Sequence, residues 1–175
     1  MFNILRGVNL YVGDEGPETS SKHLQLDELK LPQLEEQAEE FRPGGADLAY
    51  EVPLGLAKLE ASFKLKGIDP HTLGHFGLGF GERRRYTGYA ALYSEVDGAW
   101  KDAVAVMEGR IGMVEGDAWK KGELAGHDYK ISSIWFYRLS IGGEEIYQIG
   151  VNPPVRVIRG VDHYAQVRNL LRIRG

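Results

Sequence analysis

The chain has 175 residues, a formal net charge of −4, 23 glycines and no cysteine. A domain of this length buries roughly 70% of the surface that its unfolded chain exposes, which is enough for one substantial core. The lack of cysteine excludes a disulfide framework and a thiolate metal site, so the simplest prediction is a protein that folds in the cytoplasm. No run of about 18 apolar residues is present and residues 1–6 lack the layout of a signal peptide, so we expect no membrane insertion.

The first half of the chain predicts strands joined by a polar turn. Residues 5–12 form a first strand, and residues 14–21 form the turn. Residues 23–31 hold two pairs of alternating leucines that are out of step by one residue, which predicts a β-bulge. Between residues 57 and 65 the alternation is complete, as is typical of a half-buried strand. The apolar face of that strand consists of Ala57, Leu59, Ala61, Phe63 and Leu65.

Residues 31–53 are predicted to form an extended arm. The glutamates and the helical spacing of apolar residues over 32–41 favour a helix instead, but a short helix without packing is marginal in water. A Gly-Gly turn at 44–45 and five acids between 35 and 47 leave the arm few apolar residues to bury. We therefore expect the arm to be mobile in an isolated subunit and to become ordered only on contact with a neighbouring copy. The alternative is an ordinary surface hairpin that happens to be acidic.

The second half of the chain predicts a short helix followed by strands. Asp69 and Pro70 have the pattern of an N-cap and a first helical residue, for a helix that ends near Phe76. The strands are predicted at residues 84–94, 99–107, 110–114, 130–141 and 144–151. On the fourth of these, the buried face is predicted to hold Ile131, Trp135, Tyr137, Leu139 and Ile141.

The chain closes on a short extended piece at 155–159 and a helix. Asp162 is predicted to cap that helix, because its carboxylate accepts hydrogen bonds from first-turn amides. The apolar stripe of the helix consists of Tyr164, Val167, Leu170 and Leu171, three or four residues apart. With no internal repeat and no linker, residues 1–175 predict a single domain. Its fold class is mainly β: an antiparallel β-sandwich or barrel with a short internal helix and a C-terminal helix.

No set of residues argues for catalysis or for a cofactor. His71 and His75 are near enough on a helix to share a metal, but a zinc site normally needs a third protein ligand, and packing histidines are the simpler explanation. The glycine-rich stretch 77–81 leads into a strand and lacks the lysine of a P-loop, so a flexible turn is the better account. Ser132 and Ser133 lack the glycines of a nucleophile elbow. We therefore expect a non-enzymatic protein without a bound metal or cofactor.

Short motifs in a fixed order relate the chain to a known family. They are Leu31-Pro-Gln-Leu34, Glu40-Phe-Arg-Pro-Gly-Gly45, Gly55 to Phe63, Gly67-Ile-Asp-Pro70, Met107-Glu-Gly-Arg110, Phe136-Tyr-Arg-Leu139, Glu145-Ile-Tyr-Gln-Ile149, Asn152 to Ile158 and Gly160-Val-Asp162. In this order they resemble the major tail tube protein of contractile-tailed bacteriophages, from about Val8 onward. Pro153-Pro154 and Gly112 depart from the family pattern, so the local path at these two places stays open.

The resemblance implies a structural role. Six copies would close into a ring, and rings would stack into a hollow tube that lies inside a contractile sheath and conducts DNA into the host. The implied partners are further copies of the chain, the sheath protein, the tape measure protein inside the tube, baseplate and tail terminator proteins, and passing DNA contacted without specificity. The implied location is the virion tail, assembled in the cytoplasm of the bacterial host.

Three groups of residues are predicted to serve this assembly. The arm would dock on the adjacent ring through Leu34, Glu39, Glu40, Phe41 and Arg42. A wall that lets DNA slide must be neutral or acidic, since each free base would bind phosphate. The candidates for that wall are Lys58, Glu60, Ser62 and Lys64. Arg168 and Arg172 would provide basic partners for the arm of another copy, because residues 13–60 carry a net charge of −8 and residues 153–175 a net charge of +4.

Other functions and a simpler account of the charges stay open. The acidic and basic regions are equally compatible with two solvated surfaces that merely differ. The inner tube of an R-type bacteriocin or other phage-derived contractile particle would need the same subunit but delivers no DNA. A secreted hexameric ring of the type VI secretion system shares the tube fold by family resemblance. A monomeric β-barrel that binds a small ligand would stay monomeric at every concentration.

Overall fold

The computed structural model describes residues 2–174, which contain eleven strands and three short helices. In chain order they are β1 (Asn3–Val12), α1 (Pro17–Ser20), β2 (Leu26–Lys30), β3 (Glu36–Phe41), β4 (Tyr50–Leu56), β5 (Ala61–Leu65), α2 (Pro70–Leu73), β6 (Arg84–Ser94), β7 (Trp100–Gly116), β8 (His127–Ile141), β9 (Glu144–Val151), β10 (Pro154–Ile158), β11 (Val161–Asp162) and α3 (Ala165–Leu170). The predicted fold class, mainly antiparallel β with a short internal and a C-terminal helix, is confirmed. One helix was not predicted, since α1 lies within the expected polar turn. No helix in the described part is both long and apolar enough to cross a membrane.

Nine of the strands belong to one antiparallel sheet. Its main path runs β1, β6, β7, β8, β9, β10, β11, and β5 branches off β8 and carries β2 on its other edge. The branch arises because β8 is long: residues 127–131 pair with β5, and residues 136–141 pair with β9. The β2–β5 ladder lies over the inner face of the main path. Leu29 of β2 packs so closely on Gly88 of β6 that a Cβ at this glycine would lie 2.8 Å from the leucine Cδ2.

The core lies between these two layers. Its largest fully buried side chains include Tyr86, Tyr129, Leu10, Leu65, Met107, Ile111 and Ile131. Phe63 of β5 stacks on Tyr129 of β8, with ring centroids 4.8 Å apart. The alternation predicted over residues 57–65 is present, because Leu59, Ala61, Phe63 and Leu65 are all buried. The hydrogen-bonded strand itself begins only at Ala61.

Two strands differ from their predicted form because they contain β-bulges. β7 is one continuous strand and not two, with register shifts at Gly109 and Gly112. In β8, Ser133 has a φ of +51°, a left-handed conformation that interrupts the pleat. As a result Ile134 is buried, whereas Trp135, predicted for the buried face, is 41% exposed. Nothing in a serine at this position signals such a bulge.

The two predicted helices differ from expectation at their ends. Asp69 caps α2 as predicted, since its Oδ2 accepts a hydrogen bond from the Thr72 amide at 3.3 Å, but the helix ends at Leu73. The prediction that Asp162 caps the last helix is wrong. Asp162 lies in β11, and its Oδ1 accepts from the Tyr164 amide at 2.9 Å, forming a turn before α3 begins at Ala165. The segment before β10 contains a cis peptide bond between Asn152 and Pro153.

Candidate assembly surfaces

The predicted arm contains a β-hairpin that stands apart from the main sheet. Residues 36–41 are extended and not helical, and among the described strands β3 and β4 pair only with each other. All six residues of β3 are exposed, including Glu39, Glu40 and Phe41, and Arg42 after them is exposed as well. Phe41 packs edge-on against Tyr50 across the hairpin, with ring centroids 5.9 Å apart. The hairpin therefore presents polar and aromatic side chains that its own domain does not cover.

The base of the arm is joined to the domain by contacts that the sequence did not indicate. The Ala57 amide donates to the Glu35 carbonyl at 2.8 Å, and Arg156 of β10 pairs with Glu36. Leu34 is partly buried and packs against the core of its own domain, and its docking on another ring stays a prediction. The basic residue that meets the arm within one chain is thus Arg156, whose distance of 120 residues from Glu36 in sequence explains why no local pattern identified it.

Of the two arginines predicted to meet a neighbouring arm, one is already engaged. Arg168 forms an ion pair with Asp162 and donates from Nη1 to the Pro154 carbonyl at 3.0 Å. The hydrogen bond from Arg168 lowers the pKa of the Asp162 carboxyl below its usual range. Arg172 is exposed. Arg168 is thus already paired within its own chain, and the contact of either arginine with a neighbouring arm stays a prediction.

The four candidate wall residues lie along one polar strip beside β8. Glu60 accepts from Lys58 at 2.8 Å and from Lys130 at 2.9 Å, and these hydrogen bonds, with Lys58 the stronger, lower its pKa. Lys64 lies 3.2 Å from Asp128, which is the main reason that its pKa is raised. Ser62 lies between them on β5. The lysines are therefore paired with carboxylates of their own chain.

A group of potential metal ligands forms where α2 meets the β1–α1 turn. Within the described residues, Glu15, His71 and His75 place ligand atoms within 4.8 Å of one another, so the third ligand missing from the sequence pattern exists. Lys22, however, lies 3.3 Å from Nδ1 of His71. An ammonium only donates, so Nδ1 must accept and Nε2 must carry the proton, which it donates to Glu15 at 2.8 Å. No lone pair of His71 is then left for a metal, and the arrangement ties the turn to α2.

The glycine-rich stretch 77–81 is fixed more firmly than a flexible turn. Arg83 lies over the Trp135 ring, 3.6 Å from its centroid, and donates from Nε to the Ser133 carbonyl at 3.2 Å. Arg110 donates to carbonyl groups of the same loop. Phe80 at the tip is fully exposed. Arg83 therefore makes defined contacts within its own chain.

The β-rich fold and the exposed hairpin are typical of one class of protein, a structural subunit of a larger assembly. The chain belongs to the family described as phage tail tube protein FII, whose model matches residues 3–171. It is accordingly a structural subunit of a tail tube and a component of a phage or phage-like tail. The family is structural, which agrees with the expectation of a non-enzymatic protein.

Two solved chains have a similar fold. One belongs to the sheath-tube complex, in the extended state, of an extracellular contractile injection system, PVC; it has a TM-score of 0.54 and 9% identity, over 77% of this chain and 87% of that chain. The other belongs to the sheath/tube terminator of PVC in the extended state, with a TM-score of 0.51 and 12% identity over 78% and 93%. At such identities the likeness shows a shared fold. No curated protein matches the chain.

Proposed function

We propose that six copies of this chain close into a ring, and that rings stack into a hollow tube through which DNA passes in a contractile phage tail. The observation that carries the proposal is the family match over residues 3–171, together with a hairpin whose β3 residues are all exposed. A head-to-tail contact whose rotation closes gives a ring, and a second contact that does not close gives a filament. A hairpin that leaves its own domain is suited to the second contact.

The proposed partners follow from the same assignment. The two chains of similar fold come from a sheath-tube complex and from a sheath/tube terminator, which supports a sheath around this tube and a terminator at its end. A tape measure protein inside the tube and a baseplate below it complete the set that the family resemblance implies. Assembly would take place in the cytoplasm of the bacterial host.

We propose the strip of Lys58, Glu60, Ser62 and Lys64 as part of the tube wall. Free lysines would bind DNA phosphates and slow its passage. The pairing of Lys64 with Asp128, and of Lys58 and Lys130 with Glu60, offsets the positive charge locally. To test the placement, Ser62→Cys is treated with a maleimide on a polymer too large to enter the tube. We expect the maleimide to label the dissociated subunit but not the assembled tube. If it labels both equally, the strip lies on the outer surface of the tube.

The assembly itself is tested by electron microscopy and sedimentation velocity of the purified protein. Rings or tubes are expected without added metal or nucleotide, at low salt and with increasing protein concentration. A protein that stays monomeric at high concentration and low salt contradicts the proposal and restores the monomeric β-barrel as the alternative.

A second candidate is the inner tube of a contractile particle that delivers no DNA. The observation that favours it is that both chains of similar fold come from an extracellular contractile injection system. Purified particles distinguish the two functions: DNA-filled heads joined to the tails support the phage assignment, and headless contractile particles without nucleic acid support the alternative.

A further inference from the structure

The β3–β4 hairpin carries two adjacent negative charges that no cation compensates. Glu40 and Glu51 are direct partners in the ladder, and both are exposed. Side chains of direct partners stand on the same face with their Cβ atoms about 5 Å apart, where like charges destabilise the pair. Within residues 2–174 neither carboxylate forms an ion pair, and Arg42 on the same hairpin forms none either. A cation from another molecule would therefore stabilise this face of the hairpin.

The same face of the hairpin also offers apolar surface. Ala38 and Pro53 form the next ladder pair on that face, because each lies two residues from Glu40 or Glu51 along its strand. Both are exposed. A two-stranded hairpin on its own is marginally stable in water, so a further contact would stabilise it. We call these four residues the acidic face of the hairpin.

The end of the chain has the complementary composition. Arg172 and Arg174 are exposed and form no ion pair within the described part of the chain. Leu170 and Leu171, directly before them, are 77% and 63% exposed. Residues 163–174 contain no acid, so nothing within this stretch neutralises the two arginines. Residues 170–174, which we call the basic tail, thus combine apolar side chains with two unpaired guanidinium groups.

A contact within the subunit keeps the leucines of the basic tail exposed. A surface helix normally buries its apolar stripe and exposes its charges. In α3 the side chain of Arg168 is instead only 17% exposed, because it pairs with Asp162 and donates to the Pro154 carbonyl. No residue of α3 is buried. The helix is therefore held with Leu170 and Leu171 outward, where another copy can reach them.

We infer that the basic tail of one copy docks on the acidic face of the hairpin of a copy in the adjacent ring. The guanidinium groups of Arg172 and Arg174 suit the paired carboxylates, because a planar fork of N–H donors can bridge two acceptors. The leucines would cover Ala38 and Pro53 and remove apolar surface from water. Because the two surfaces differ, the contact is head-to-tail, the kind that gives a filament when it does not close. The inference rests on the proposed function, since it names the surface that receives the arm.

Exchange of the charges tests the contact. The arm variant carries Glu40→Lys and Glu51→Lys, which keeps two like charges opposite each other, and the tail variant carries Arg172→Glu and Arg174→Glu. Each variant alone is expected to form rings but to need a concentration about tenfold higher, or more, to form tubes. A chain with all four substitutions is expected to form tubes near the wild-type concentration. If tubes are not restored in that chain, the inference is overturned.

A matched variant separates the contact from the overall charge. Arg84→Glu with Lys121→Glu changes the net charge as much as the tail variant does, at two other exposed positions without an ion pair among the described residues. Normal tubes are expected from it. If it stacks as poorly as the tail variant, or restores tubes when combined with the arm variant, net charge decides stacking and the inference fails. Sedimentation velocity and electron microscopy measure rings and tubes, and circular dichroism verifies folding.

Introduced cysteines test which face of the hairpin receives the tail, because the chain contains none. Leu171→Cys is mixed with Ala38→Cys, one of them with a tag that changes its mass, and oxidised under conditions in which the wild type assembles. Since each variant carries one cysteine, a cross-linked heterodimer reports a contact between copies, and it is expected at several times the yield of dimers from either variant alone. Tyr50→Cys lies on the opposite face, beside Phe41. A cross-link to Tyr50→Cys and not to Ala38→Cys overturns the inference.

The outcomes separate this contact from the tube function. If the wild type forms tubes and the tail variant stacks equally well, the inference is overturned while the tube function stands. A wild-type protein that never assembles contradicts both.

Discussion

Lys22 Nζ lies 2.7 Å from Asp69 Oδ2, and only 4% of the Lys22 side chain is exposed. Lys22 also donates to the Thr19 carbonyl at 2.7 Å. Burial would raise the pKa of the Asp69 carboxyl, but the hydrogen bonds from Lys22 and Thr72 outweigh it and lower that pKa. This ion pair joins the segment after β1 to the N-terminus of α2, next to the contact between Glu15 and His71.

Replacing Lys22 is expected to destabilise the domain strongly. Lys22→Ala leaves the Asp69 carboxylate partly buried without its cation, and breaking a buried pair costs about 3–5 kcal/mol. The free energy of unfolding from urea denaturation measures the loss. Lys66→Ala is the control, since its pair with Asp27 is about half exposed and is worth less than about 1 kcal/mol. Similar losses for both variants would show that burial does not set the strength of the Lys22 pair.

Stability is expected to fall on mild acidification because of His75. Burial is the main cause that lowers the pKa of His75 below 6.5, and the nearby charges of Arg84 and Lys22 act in the same direction, although Glu15 acts in the opposite one. The unfolded chain takes up a proton near pH 6.5 and the folded one only at lower pH, so stability is complete above that pH and declines below it. The lowered pKa values of Glu15 and Asp69 act only below about pH 4.5.

The measurement is the free energy of unfolding between about pH 7.5 and 5.5, for the wild type and for His75→Gln. The variant is expected to lose less stability over this range than the wild type does. His163→Gln, at an exposed position, is the control and keeps the wild-type slope. An unchanged slope in His75→Gln would mean that another group causes the pH dependence.

Local sequence patterns predicted the structural elements that depend on residues close together in the chain. The Asp69-Pro70 pair predicted the start of α2 because cap and first turn are adjacent in the chain, and period-two alternation predicted which side of residues 57–65 is buried. The sequence did not predict the bulge at Ser133, because serine has no preference for positive φ. Because of that bulge, Ile134 lies in the core and Trp135, which the alternation predicted there, does not.

The sequence indicated residues of the candidate surfaces but not the residues that they contact. The polar strip at 58–64 was found from alternation, yet its partners Lys130 and Asp128 lie on β8, more than sixty residues away. Lys22 reads in sequence as one more surface charge, and its burial depends on Asp69. The outward leucines of α3 follow the predicted stripe, but which side faces solvent is decided by the contact of Arg168 with Asp162. Such pairings depend on the folded topology.

Close packing at Gly109 is expected to make it intolerant of a side chain. A Cβ there would lie 2.9 Å from both Ile131 Cγ2 and the Ser132 carbonyl oxygen, and backbone cannot move aside easily. Gly109→Ala is therefore expected to destabilise the domain by about 1–3 kcal/mol through overpacking. Gly7→Ala is the matched control, because a Cβ at Gly7 meets no atom within 4 Å. Thermal denaturation compares the two, and an unaffected Gly109→Ala would show that β7 and β8 can separate locally.

The arm is expected to be dispensable for folding and required for stacking. β3 and β4 pair only with each other within the described residues, and Glu35 and Ala57 at the base are already joined by a hydrogen bond. Replacing residues 36–56 with a short Gly-Ser linker should therefore leave the circular dichroism spectrum of the remaining domain and its ring formation intact. Tubes should no longer form, because the contact proposed between rings is gone.

Electron microscopy of the arm-deleted protein decides this prediction, with rings but no tubes as the expected result. The deletion also removes the partner of Arg156, so Glu36→Gln is the control: it breaks that ion pair while keeping the hairpin. Because the pair is partly exposed, its loss is expected to have little effect on tube length. If the arm-deleted protein forms tubes of normal length, the stacking contact lies elsewhere. If Glu36→Gln alone abolishes tubes, the arm acts through the orientation that Arg156 gives it and not through its exposed side chains.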